Sequence, residues 1–203
     1  MNSILLYSGG LDSTTILYDY KDVIKLCLYI DYGNANKLKE LEQVYYHAGK
    51  LNKEVKVLDA ISLFKGITEG KSIGLFQDYK NHTENYVLHF RNGIFVSIAI
   101  SFAELHNYDN IYTGFCCSDD ESASCIIDTT HQFVSCMTDA NDNKVSILSP
   151  YCLLPKSAVL LKAESFGIEL SKTWSCFGDG PERCGECNAC LSIQNAFLLN
   201  YEK

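Results

Sequence analysis

A chain of 203 residues, 47% hydrophobic and with only 3 prolines, is long enough to bury one sizeable core and too short for an array of domains. Its formal net charge of -8 gives no global positive field for a phosphate backbone, which disfavours nucleic acid as a partner and leaves only a local basic patch open. No basic segment leads a long apolar run at the N-terminus, and no stretch approaches the roughly 20 apolar residues that span a bilayer, so a cytoplasmic protein without a membrane partner is expected.

The first apolar run, SILLY over 3–7, breaks at Ser8, Gly9 and Gly10, after which Leu11, Ile16 and Leu17 begin a helical pattern: strand, turn, helix. A second run, VIKLCLYI over 23–30, ends in Asp31, Tyr32 and Gly33, and 36–51 follows as a polar-faced helix. A third strand is predicted near 54–58. Residues 66–86 lack clear periodicity and predict a loop or lid, 91–107 form a long apolar helix, and IYTG supplies a fourth strand near 111–114. Strands alternating with helices predict an α/β fold, a doubly wound and mostly parallel sheet covered on both faces. Such sheets bind ligands at the carboxyl ends of their strands. No internal repeat or low-complexity tract interrupts the pattern.

The turn after the first strand, SGGLDST, carries the first chemical signal. Two glycines let the backbone turn sharply and bring its N–H groups close to a bound group, and the helix that follows points its positive end at the same spot. Ser8, Ser13, Thr14 and Thr15 add hydroxyl groups, so the turn suits an anion, above all phosphate. The lysine of G-x-x-x-x-G-K-[ST] is missing, which argues against ordinary γ-phosphate transfer. Asp12 would repel a phosphate unless magnesium intervenes, and is therefore expected to serve Mg2+ or the loop geometry. A capped turn without ligand is the competing account, since Ser, Thr and Asp are also good helix caps.

The second signal is cysteine. Of the 10 in the chain, Cys176, Cys184, Cys187 and Cys190 fall in one short stretch, TWSCFGDGPERCGECNAC. Four thiolates close a tetrahedral site, as structural zinc prefers, whereas a catalytic zinc keeps a position for water. C-x-x-C-x-x-C also occurs among iron–sulfur ligands, and spacing alone leaves that choice open. The other six fit small buried hydrophobes.

SGGLDST resembles S-G-G-x-D-S, the pyrophosphate loop of the ATP pyrophosphatase (PP-loop) superfamily. Together with RNxxFxSxA (Arg91, Asn92, Phe95, Ser97, Ala99), TWSC and CGxCxxC, in that order, it makes nearly the whole chain resemble the QueC family of 7-cyano-7-deazaguanine synthases. The resemblance implies an adenine nucleotide alpha-hydrolase-like domain over 1–170 and a four-cysteine zinc-binding element with a terminal helix over 171–203. It implies an ATP-dependent carbon–nitrogen ligase of queuosine biosynthesis that turns 7-carboxy-7-deazaguanine and ammonia into the 7-cyano compound. ATP, Mg2+ and Zn2+ are the implied cofactors, and a homodimer the implied assembly. The run Tyr7, Ser8, Gly9, Gly10, Leu11, Asp12, Ser13, Thr14, Thr15, Ile16 and Leu17 would hold ATP, with Ser8, Gly9, Gly10 and Ser13 nearest the phosphates. Asp12, Arg91 and Lys156 are the candidate catalytic residues, the last two as counter-charges for phosphate or carboxylate. Lys156 also fits an exposed first-turn lysine, whereas a cation opening an apolar helix, as Arg91 does, opposes the helix dipole. Arg91, Asn92, Phe95, Asp119, Asp128 and Phe133 are the substrate-binding candidates.

Departures from the family concentrate where D-x-SGYPDCR-x-EF is usual. Ile126, Ile127, Asp128, Thr129 and Thr130 stand for YPDCR, and Gln132 for the glutamate, so an arginine and a carboxylate are missing. YGQ is altered to Tyr32, Gly33 and Asn34, followed by Ala35 and Asn36, and Ile193 replaces the arginine before the final Ala196–Phe197 pair. These changes spare the ATP and metal motifs and fall on the deazaguanine end. Three alternatives follow: transfer of the activated base to a protein amine, as in a defence system; a tRNA-modifying enzyme of the same superfamily; and a non-catalytic nucleotide-binding scaffold.

Overall fold

The computed structural model describes residues 2–69, 90–115, 124–142 and 144–201, with the side chains of 124–131 outside the described set. The strands are β1 (Ser3–Leu6), β2 (Ile24–Asp31), β3 (Glu54–Asp59), β4 (Asn110–Tyr112) and β5 (Ser146–Leu148). The helices are α1 (Leu11–Asp19), α2 (Lys37–Lys50), α3 (Ile61–Ile67), α4 (Arg91–Leu105), α5 (Ser124–Ala140), α6 (Lys156–Ser165) and α7 (Asn188–Tyr201). The strands form one sheet in the order β3-β2-β1-β4-β5, and every pairing is parallel.

Apolar residues on both pleats of β1 and β2 make this arrangement stable, because a parallel sheet is covered on both faces. Leu5, Cys27 and Tyr29 point into a core shared with Leu17 of α1, Val44 of α2, Val159 of α6 and Ile193 of α7. Ile4, Leu26, Leu28 and Ile111 point the other way, against Val96, Ala99 and Ala103 of α4. The sheet is therefore doubly wound, as the strand and helix alternation predicts. Through Ile193 and Ala196 the terminal helix α7 joins the main core.

Four strands, α1, α2 and α4 lie where the sequence places them. The structure adds α3, α5, β5 and α6. Of the predicted loop or lid at 66–86, the first two residues belong to α3 and 70–86 lie outside the described residues. Among the described residues no helix is long and apolar enough to cross a membrane.

β1 pairs with β2 on one side and β4 on the other, so the winding reverses there. α1, which follows β1, and α5, which follows β4, pack on opposite faces of the sheet, and at such a switch point a crevice opens at the carboxyl ends of the two strands.

Candidate active site

A cleft of about 360 Å3 occupies the crevice. Its walls are the turn after β1 (Tyr7, Ser8, Gly10, Asp12, Ser13), the ends of β2 and β4 (Tyr29, Tyr32, Thr113, Gly114, Phe115) and the first turns of α4 (Arg91, Asn92, Phe95). Lys156 of α6 and the C-terminal Trp174, Ser175, Phe177, Ala189 and Ser192 close it.

The turn is fixed from behind. Gly9 has φ of +72°, and a Cβ there would stand 2.7 Å from the carbonyl oxygen of Glu40, so only glycine fits both the conformation and the space. Gly114 lets β4 approach the loop equally closely, since a Cβ there would meet the Ser13 amide nitrogen at 3.2 Å. Ser8 Oγ accepts from the Gly10 N–H (3.4 Å) and lies 3.3 Å from Ser13 Oγ, which puts two hydroxyls beside the positive end of α1. Leu11 N–H, which has no partner within the helix, donates to Ser175 Oγ at 3.2 Å. The cleft takes only the first part of the run from Tyr7 to Leu17. Thr14 turns inward to the Tyr7 hydroxyl (3.1 Å), Thr15 donates to Leu11 O (2.7 Å), and Ile16 and Leu17 are fully buried in the core.

Lys156 opens α6 as a first-turn lysine, but it is not on the surface. Its side chain is 11% exposed and Nζ donates to both carboxylate oxygens of Asp12, at 2.5 and 2.6 Å. Residues 144 positions apart thus meet beside the turn. Arg91 lies at the opposite wall. Its guanidinium carbon is 5.7 Å from the Tyr32 ring centre and 5.9 Å from that of Phe95, and Nη1 donates to the Tyr32 hydroxyl at 3.4 Å. Nε is buried without a hydrogen-bond partner, and among the described residues no carboxylate forms an ion pair with the guanidinium. A cation over two aromatic faces, with an unsatisfied donor, is suited to a planar anionic ligand.

Asn92 and Phe95 line the same wall, Phe95 packing against Tyr32 with ring centres 5.1 Å apart. Phe133 sits on α5 edge-to-face with Phe90 (5.8 Å), among the residues packed on the α4 face of the sheet and not on the cleft. Asp119 lies outside the described residues, as does the side chain of Asp128.

The structure also presents a carboxylate that the sequence pattern hides. Glu40, in the first turn of α2, lines the cleft although only 8% exposed. Its Oε2 accepts from the Tyr29 hydroxyl (2.7 Å) and Asn34 Nδ2 (3.0 Å), and its Oε1 from Asn36 Nδ2 (3.1 Å). Burial pushes its pKa up to about 7 against the lowering effect of those donors and of the Arg91 charge. Asn34 and Asn36 come from the stretch where YGQ is altered. That alteration was the only signal pointing at this cluster.

The cysteines converge as their spacing predicts. The four sulfurs of Cys176, Cys184, Cys187 and Cys190 all lie within 4.8 Å of one another, Cys184 and Cys190 at 4.0 Å. One tetrahedral ion with metal–sulfur bonds of about 2.3 Å needs sulfurs about 3.8 Å apart. An iron–sulfur cubane would put each cysteine on its own iron and spread the sulfurs further, so the donor set fits a single ion. Backbone N–H groups already face the sulfurs: those of Gly178 and Cys184 donate to Cys176 Sγ, and that of Cys187 to Cys184 Sγ, each at 3.3 Å.

Comparison with known proteins agrees with these features. The family model described as "Queuosine biosynthesis protein QueC" matches residues 2–201. A 7-cyano-7-deazaguanine synthase of Porphyromonas gingivalis is 30% identical over 204 residues, 96% of this chain and 91% of that protein. Among solved structures, the U34-tRNA thiolase NcsA from Methanococcus maripaludis with its [4Fe-4S] cluster has a TM-score of 0.57 at 16% identity, over 100% of this chain and 73% of that one. NMN synthetase from Francisella tularensis has a TM-score of 0.57 at 12% identity, over 99% and 85%. At those identities the two structures speak for the fold alone.

Proposed function

The chain belongs to the QueC family, and from that premise we propose that it is an ATP-dependent ligase converting 7-carboxy-7-deazaguanine and ammonia into 7-cyano-7-deazaguanine. The observation that carries this is the cleft itself: a glycine turn and helix N-terminus with Lys156 at one end, and an aromatic-faced Arg91 with an unsatisfied Nε at the other.

The chemistry sets the requirements. A carboxylate is a poor electrophile, because its leaving group would be oxide. Attack of the carboxylate on the α-phosphorus of ATP releases pyrophosphate and leaves an acyl adenylate, whose leaving group is AMP. Ammonia displaces AMP to give the amide with loss of a proton. Attack of the amide oxygen on the α-phosphorus of a second ATP releases pyrophosphate and one N–H proton, and loss of AMP and the second N–H proton leaves the nitrile. Each activation releases pyrophosphate, so stabilising that anion serves both halves of the reaction.

Ser8, Gly9, Gly10 and Ser13 are assigned to the pyrophosphate portion of ATP, supported by the glycine turn and the α1 N-terminus. Lys156 supplies the positive charge next to it, and Asp12 holds that ammonium from both oxygens. Arg91, Asn92 and Phe95 are assigned to the deazaguanine and its carboxylate. Magnesium fits as a nucleotide-borne ion: Asp12 stands in the loop itself and lines the cleft, and Mg2+ takes few protein ligands and completes its shell with phosphate and water. Bound there, it would neutralise developing phosphate charge. The four cysteines are assigned to a structural Zn2+, supported by the closed sulfur set that leaves no ligand position for water.

Incubation with ATP, magnesium, 7-carboxy-7-deazaguanine and ammonium, followed by mass spectrometry, is expected to show the nitrile with AMP and pyrophosphate. Absence of nitrile, amide and adenylate under these conditions would reject the assignment.

A further inference from the structure

We propose that Ser175 is a positioning residue through which metal ligation by Cys176 holds the pyrophosphate loop, so that the metal and inorganic pyrophosphate bind cooperatively. This rests on the assignment of the Ser8–Ser13 turn to pyrophosphate.

Thr173 to Cys176 belong to no helix or strand, so the path of this strip is set by the bonds it makes. Each of its last three residues is bonded to the loop or to the helix behind it. Trp174 N–H donates to Gly9 O at 2.8 Å, Ser175 Oγ accepts from Leu11 N–H at 3.2 Å, and Cys176 O accepts from Asn36 Nδ2 at 2.9 Å. Asn36 in turn bonds Glu40, whose own carbonyl oxygen packs against Gly9. The Gly9–Leu11 turn is thus held on one side by the strip leading to Cys176 and on the other by the start of α2.

Ser175, like Trp174 beside it, also lines the cleft. Its oxygen takes up a first-turn N–H of α1 across 164 positions of sequence and so fixes the angle at which the helix end meets a phosphate. From Thr173 to Cys187 the chain contains no helix or strand. Ordering such a stretch has an entropic cost, and ligation of its cysteines fixes it before an anion arrives. Pyrophosphate then meets a loop already in place. By linkage, the anion must tighten the metal by the same factor by which the metal tightens the anion.

The chain has 1 tryptophan, and it stands in this strip, so its fluorescence reports the junction directly. Full-length zinc-loaded wild type, Ser175→Ala and Ser175→Thr would be titrated with magnesium pyrophosphate, following Trp174 emission and heat. Zinc loss to a chromogenic chelator would be measured with and without pyrophosphate. The expected result is a roughly tenfold weaker pyrophosphate affinity in Ser175→Ala with its zinc retained, restored by Ser175→Thr, which keeps the hydroxyl. In wild type, pyrophosphate should tighten zinc by that same factor, and in Ser175→Ala it should not. Equal pyrophosphate affinities in zinc-retaining wild type and Ser175→Ala would overturn the coupling, as would wild-type zinc affinity indifferent to pyrophosphate. The second comparison needs no variant. If zinc-loaded wild type failed to bind pyrophosphate at all, the loop assignment would fall and the coupling with it; binding without linkage would remove the coupling alone.

Discussion

The two ends of the cleft are built on different plans. At the loop end, polar groups meet partners within the protein, the buried Trp174 Nε1 excepted: Lys156 with Asp12, Ser8 with Ser13, Leu11 N–H with Ser175 and Trp174 N–H with Gly9. At the α4 end, Arg91 lies over two rings with its Nε buried and unpartnered. A site that must stabilise the same leaving group in both activations gains from dipoles and charges fixed beforehand. A site that must tell one flat acid from another gains from a donor whose partner is the substrate itself, because an analogue lacking the acceptor leaves that donor unsatisfied.

The largest break in this comparison comes from removing the charge at the loop end. Lys156→Met is expected to lower kcat/KM by about 100- to 1000-fold, on the scale of losing one well-placed electrostatic group. Part of that loss comes from Asp12, left facing phosphate without its partner. The double variant Asp12→Asn/Lys156→Met should therefore recover some of the activity, a non-additivity that steady-state kinetics would measure. Strict additivity would mean that the pair does not act as a unit.

Glu40 sharpens the comparison through pH. Its pKa is raised from 4.5 to about 7 in the folded protein, chiefly by burial. The folded state therefore holds a proton that the unfolded chain releases. The stability this confers is fully present below about pH 4.5 and is lost as pH rises through about 7. The loss is on the order of 3 kcal/mol over that window. Glu40→Gln should abolish this component, so that urea midpoints of variant and wild type converge or cross as pH rises. A constant difference from pH 4 to 8 would show that Glu40 titrates normally.

Much of the fold was legible because its signals are local. SILLY followed by a glycine pair gives β1 and its turn, and IKLCLYI gives a strand buried on both faces. The cysteine spacing alone predicted convergence. What stayed hidden was set by long-range packing. Lys156 looks like any first-turn lysine until α6 is laid beside α1. Ser175 reaches Leu11 only because the C-terminal strip crosses the loop. In KLKELEQ, Glu40 alternates with charged neighbours as a solvated face would, yet the close approach of α2 to Gly9 and Tyr29 buries it. The Cys176–Cys190 set adds what spacing could not, since sulfurs within 4.8 Å of one another fit a single tetrahedral ion.

The smallest expected effect tests the other half of the comparison. Arg91→Lys keeps the charge but loses the planar fork and its stacking over Tyr32 and Phe95. If Arg91 serves the substrate acid, the variant should raise KM for 7-carboxy-7-deazaguanine by about tenfold, the lower end of what a charge-assisted hydrogen bond contributes, with KM for ATP unchanged. Lys156→Met should show the reverse pattern, with its loss falling on ATP and on kcat. The split matters more than either magnitude, because general destabilisation of the fold would move both substrates together. A rise in KM for ATP alone on changing Arg91 would place that guanidinium on the nucleotide and move the recognition of the deazaguanine to another wall of the cleft.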